Sequence, residues 1–173
     1  MPMMNTQNRH SLGQNGMSRP VVFVIGLMVL AFVALALWVA KRPLISDMEV
    51  LALYGKNENS FKSLRDMVLE DAAKHELREL VIAENESIEQ LTLRTGSATR
   101  SQAYKRLLSA VHIRNVDFDG VSVFFYLDGV TWSGHGRRKG VLWHPKPQQL
   151  RSGNGDRYSC ITGQWLVAEI VSH

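Results

Sequence analysis

Cysteine is nearly missing from this chain: Cys160 is the only one. That excludes an internal disulfide framework and any Cys-rich zinc or iron–sulfur site. Acidic residues are absent from positions 1–42, which hold Arg9, Arg19, Lys41 and Arg42. Positions 43–173 hold 16 basic and 16 acidic residues, so the net charge of +4 belongs to the N-terminal segment. Nucleic-acid binding by counterion release needs a basic surface, and the larger segment has no net charge to build one. No nucleic-acid partner is expected. A length of 173 residues leaves no room for a (β/α)-barrel or a two-domain enzyme.

Charge is also absent from 21–40, VVFVIGLMVLAFVALALWVA. As a helix rising ~1.5 Å per residue this run would span ~30 Å, the thickness of a bilayer's hydrocarbon core. Arg19 precedes it, Lys41 and Arg42 follow, and Trp38 stands near one end, where amphipathic rings favour the interface. A soluble core helix of this length would carry a polar stripe. A cleaved signal peptide would have a shorter apolar region and a small-x-small site, whereas cleavage after Ala40 would put Trp38 at the −3 position. The expectation is an uncleaved, single-pass transmembrane signal anchor over 20–42. The Lys/Arg counts on its two sides are nearly equal. The acid-free tail favours a cytoplasmic N-terminus and a C-terminal domain in the periplasm, with the anchor in the inner membrane. Residues 1–19 are rich in Met, Asn, Gln, Ser and Gly and predict a disordered tail.

Residues 43–58 predict a juxtamembrane short helix and linker. Ser46 and Glu49 fit a capping box, and Gly55 is a natural stop. Residues 59–173 predict an α+β domain. Phe61, Leu64, Val68 and Ala72 form one helical stripe, and Tyr104, Leu107, Leu108 and Val111 form another. Leu80–Ala83 is a short β-like run, and residues 84–98 look like an irregular loop. Eight of the 13 glycines fall within 120–163, punctuating β-rich runs at 121–127, 139–143, 158–161 and 165–171. Apolar side chains on both faces of 121–127 suggest a central strand. The expected fold is one transmembrane helix followed by two or three helices packed on an antiparallel meander of four or five strands. Residues 43–100 carry 7 basic and 11 acidic groups, and residues 101–173 carry 9 and 5. The helical front is therefore acidic and the sheet end basic.

Several residues invite a chemical reading. Arg137, Arg138 and Lys139 lie among Gly134, Gly136 and Gly140, a setting that could hold an anion or an acidic lipid. It lacks the Walker spacing, so a hairpin loop with solvated charges is the plainer reading. Trp132, Trp143 and Trp165 could present an aromatic binding surface, or fill the core under a small sheet. Cys160 could act as a nucleophile with His144 or His135 as base. Its alternation with Ser159 and Ile161 reads more simply as a strand residue facing a core. Asp71 and His75, at i and i+4, could offer two metal ligands, but more are needed for a site. No metal and no cofactor is expected.

One resemblance spans most of 60–170. It runs through Phe61, Leu64, Met67 and Asp71, then Leu91, Arg100, Ser101, Tyr104, Leu107 and Leu108. It continues through 121–124, Gly129, Arg138–Trp143, Pro145, Pro147, Tyr158, Ile161 and Trp165. In these the chain resembles small uncharacterised bacterial membrane-anchored or exported proteins with a helical front and a C-terminal β-meander. It departs from them at Trp143 and Leu166. The resemblance implies the α+β fold and a bacterial envelope setting, and no activity. The functional expectation is a non-catalytic binding or interaction module, such as an accessory subunit or an immunity-like protein. Its partners would be the lipid bilayer and an unknown protein. A small Cys/His hydrolase at the membrane surface is the alternative.

Overall fold

The structure is a computed structural model that describes residues 19–132, 135–153 and 155–172; at 19–22, 39–40, 131–132, 135 and 172 it describes the backbone alone. The tail expected at 1–19 lies outside the described residues but for Arg19. The chain divides into two units, Met1–Lys41 and Arg42–His173.

The first unit contains helix α1, Arg19–Ala40. Its apolar side chains are exposed, Phe23 and Trp38 among them. The structure corrects the expected anchor: among the described residues no helix is long and apolar enough to cross a membrane. The transmembrane signal anchor over 20–42, the single-pass topology, and the inner-membrane location with a periplasmic domain fall together.

The second unit is α+β. Helix α2 spans Asp47–Lys74, strand β1 Leu80–Ala83, helix α3 Ile88–Thr95 and helix α4 Ala98–Val111. Strands β2 (Asn115–Phe118), β3 (Val123–Trp132), β4 (His135–Trp143), β5 (Arg157–Thr162) and β6 (Trp165–Ser172) follow. A short 3₁₀ turn, Pro147–Gln149, interrupts the passage from β4 to β5. All six strands form one antiparallel sheet in the order β1-β2-β3-β4-β6-β5. That is one or two strands more than the sequence suggested, and β3 is interior as expected.

The capping box at the start of α2 forms: Ser46 Oγ accepts from the Glu49 amide at 3.2 Å, and the Glu49 carboxylate accepts from the Ser46 amide at 2.8 Å. The helix does not stop at Gly55. It runs on through a kink at Asn57 (φ −124°, ψ 20°), whose side-chain amide donates to the Leu53 carbonyl at 2.9 Å. That bond replaces one the kink would forfeit. Of the short helix and linker expected over 43–58, residues 47–58 form the N-terminal part of α2 up to and across the kink, and residues 43–46 precede it.

One face of α2 buries Val50, Tyr54, Phe61, Leu64, Val68 and Ala72. They meet Leu91 of α3, Tyr104, Leu108 and Val111 of α4, and one face of the sheet: Ile82, Val116, Val123, Phe125, Val141, Trp165 and Val167. Each fully buried Leu or Phe here contributes ~1.5–3 kcal/mol of transfer free energy. Tyr54, Phe61, Phe125 and Trp165 form its aromatic centre, with centroids 5.2–5.8 Å apart between Phe61 and Phe125, Phe125 and Trp165, and Tyr54 and Trp165. The reverse face of the sheet has a smaller core of Phe124, Leu142, Leu166 and Ala168, flanked by Leu150 and Tyr158. Both faces of β3 are thus buried, which is why 123–127 reads as a nearly continuous apolar run.

Candidate functional site

The basic run lies in strand β4, not in a hairpin loop. Each of its three cations faces an acid of a neighbouring element. Arg137 Nε sits 2.9 Å from Glu169 on β6. Arg138 donates to Asp117 on β2 at 2.8 Å and covers the ring of Phe124. Lys139, only 7% exposed, pairs with Asp47 at the start of α2 at 2.5 Å. Burial raises the pKa of Asp117, while the Arg138 charge and the hydrogen bonds from Asn115 and Arg138 pull it back. The three charges bind the sheet to itself and to α2.

The other sequence candidates are scattered. The side chains of Trp132 and His135 lie outside the described residues. Trp143 is half-buried; Arg65 covers its ring at 5.4 Å, and its indole N–H donates to Gln164 at 3.2 Å. Cys160 is exposed on β5, opposite Leu166 of the reverse-face core. His144 is buried, and its Nδ1 accepts the Lys146 amide at 3.0 Å. Asp71 is turned inward: it accepts from Tyr104 at 2.8 Å and Arg100 at 3.0 Å, holding α2 to α4. Among the described residues no group of three or more His, Cys, Asp or Glu could hold a metal ion.

The surface that stands out is one the sequence reading treated as a loop. Residues 84–98 contain α3, with a complete capping box between Ser87 and Gln90 and a left-handed C-cap at Gly96 (φ 67°). The Ser-x-x-Gln spacing and the glycine were legible signals for it. Helix α3 runs beside β1, which is an outer strand of the sheet. The Glu84 amide bonds to Arg114 beside β2 at 2.7 Å. Residues 80, 82 and 84 therefore direct their backbone groups inward, and Val81 and Ala83 direct theirs outward.

Two clefts border that outer edge. One, of about 580 Å³, is lined by Val81, Ala83, Asn85, Glu86, Gln90, Leu93 and Arg94. The other, of about 520 Å³, reaches from His75 and Glu79 to the same Val81, Leu93 and Arg94. Leu93 is 86% exposed and Val81 47%. Arg94 stands between the clefts: one of its nitrogens donates to the Val81 carbonyl, and the other lies 3.0 Å from Glu86 Oε1. That oxygen is buried, and the pair is a charge contact without hydrogen-bond alignment. The Glu84 carbonyl accepts from Lys105 of α4, which fixes the turn in place. Segment 75–94 carries five glutamates against Arg78 and Arg94.

No family model, curated protein or solved structure matches this chain.

Proposed function

We propose that residues 42–173 are a protein-binding module that takes an extended segment of a partner protein along the outer edge of β1. The observation that carries this is the pairing of an outward-facing strand edge with exposed Val81 and Leu93 and a cleft on each side. A strand added to an open edge gains main-chain hydrogen bonds, and pockets beside it choose its alternate side chains. An accessory subunit of a larger complex, or a protein that neutralises an incoming one, would both use such a surface.

The test is selection of short random peptides displayed on phage against the immobilised full-length chain. Binders are expected to lose affinity when Val81→Pro removes an edge N–H or Leu93→Asp charges the apolar wall. Binders indifferent to both changes would mean that the edge is not the docking surface.

A further inference from the structure

We propose that the segment docking on β1 carries a lysine or arginine that displaces Arg94 from Glu86. This rests on β1 being the docking edge and names the chemistry of what docks there.

Arg94 already does what such a segment would do. Its guanidinium occupies the Val81 carbonyl, the acceptor that an incoming strand's N–H would use. It also supplies the one positive charge within ion-pair distance of Glu86 among the described residues. Arg94 itself is about half exposed, whereas the Glu86 side chain is 8% exposed. The mobile partner of the pair is therefore the arginine, and the fixed one is the carboxylate. A buried carboxylate without a cation is costly, so Arg94 can leave only if another cation replaces it. The two clefts share Val81, Leu93 and Arg94. With the guanidinium swung outward they join into one groove along the strand, from His75 to Glu86.

The surroundings favour the same sign of charge. Glu79 lines one cleft, and Glu76 and Glu89 are exposed in the same segment 75–94, whose cations are Arg78 and Arg94; Lys105 of α4 is engaged on the Glu84 carbonyl beside them. Positive segments are drawn toward such a rim, and acidic ones are repelled. Exposed Val81 and Leu93 then receive the apolar side chains flanking the cation.

Three fluorescent seven-residue peptides of alternating valine and threonine, with lysine, norleucine or glutamate at the centre, are the probes. Their affinities for the full-length chain are measured by anisotropy, and the site is mapped by amide chemical shifts. The lysine peptide is expected to bind at least tenfold more tightly than the glutamate peptide, with shifts at Val81, Ala83 and Leu93. Glu86→Gln should bring that ratio close to one, and Arg94→Gln should tighten the lysine peptide several-fold by removing its competitor. Equal binding of all three probes at β1 would overturn the basic-residue requirement and leave the docking edge standing. A lysine preference that survives Glu86→Gln would overturn it too, as would lysine binding that fails to tighten in Arg94→Gln if Glu86→Gln does not fold. Absence of binding by every probe, or shifts confined to another surface, would overturn both the requirement and the edge.

Discussion

The hydroxyl of Tyr104 donates a 2.8 Å hydrogen bond to Asp71 Oδ2, the same oxygen that accepts from Arg100 Nε at 3.0 Å. One buried carboxylate oxygen thus fastens two residues of α4, one turn apart, to α2. Removing the carboxylate strands the buried Tyr104 hydroxyl and frees Arg100 Nε, while Arg100 keeps Glu70 and the Met67 carbonyl through its other nitrogen. Asp71→Ala is expected to cost about 2–3 kcal/mol and Tyr104→Phe about 1–2 kcal/mol, because the first removes two hydrogen bonds and leaves a buried hydroxyl unsatisfied, while the second removes one. Urea unfolding monitored by circular dichroism checks the order; equal losses would mean that Arg100 does not depend on Asp71.

Alkaline pH should loosen the same core. Burial, then the Asp71 hydrogen bond and charge, push the Tyr104 hydroxyl well above its ordinary value. Burial, then Glu58, push Tyr54 up to about 12. Both groups keep their protons in the folded state at pH values where the unfolded chain releases them. Their stabilisation is therefore complete below about pH 10, the ordinary tyrosine value, and is lost as pH rises beyond it. Melting temperatures are expected to hold up to pH 9 and fall between pH 10 and 12. The fall should be shallower in Tyr54→Phe. At neutral pH that variant should be as stable as the wild type, or more so by up to about 1 kcal/mol, because the buried Tyr54 hydroxyl has no hydrogen-bond partner among the described residues.

Glycine matters in β4 and not in α2. A Cβ at Gly140 would overlap the carbonyl of Phe125 across the ladder, beside the irregularity between Tyr126 and Asp128. A Cβ at Gly55 would meet nothing within 4 Å. Gly140→Ala is expected to destabilise by about 2–4 kcal/mol through forced displacement of the strands. Gly55→Ala should stabilise by about 0.5–1 kcal/mol through helix propensity. Opposite signs in thermal unfolding support the assignment; like signs contradict it.

Cys160 is exposed on the outer strand β5. A thiol reagent such as Ellman's should modify it completely in the native protein at pH 8. The adduct should change the melting temperature by no more than about 2 °C, since no core contact is lost. A requirement for denaturant would place the thiol in the interior.

Where local rules acted alone, the sequence was readable. The Ser46 capping box, the stripes at 61–72 and 104–111, and the β runs at 80–83, 158–161 and 165–171 all correspond to elements. Errors arose where one residue type serves two ends. Gly55 looked like a stop because a helix-breaking residue and a cap share a composition, and only tertiary packing on both sides of Asn57 keeps α2 going. The basic run at 137–139 looked like a hairpin loop. It is instead strand, because it pairs with β3 and β6, and Arg137 and Arg138 find acids on other strands. Those partners are distant in sequence, so no local pattern reveals them. The β1 edge was hidden for the same reason: Val81 and Leu93 are ordinary apolar residues until the strand order leaves them outside.

The strand order also sets how the sheet comes apart. β3 and β4, and β5 and β6, are neighbours in sequence and pair as hairpins, while β1 reaches β2 only after α3 and α4 have intervened. Closing that long loop yields just four paired residues at the rim. Amide protons of Ile82 should accordingly exchange with solvent by a local opening far cheaper than global unfolding, while those of Phe125 and Val141 exchange only with the whole domain. The strand assigned to receive a partner is thus also the one held by the least local pairing, and a docked segment would be seen first as slower deuterium uptake there.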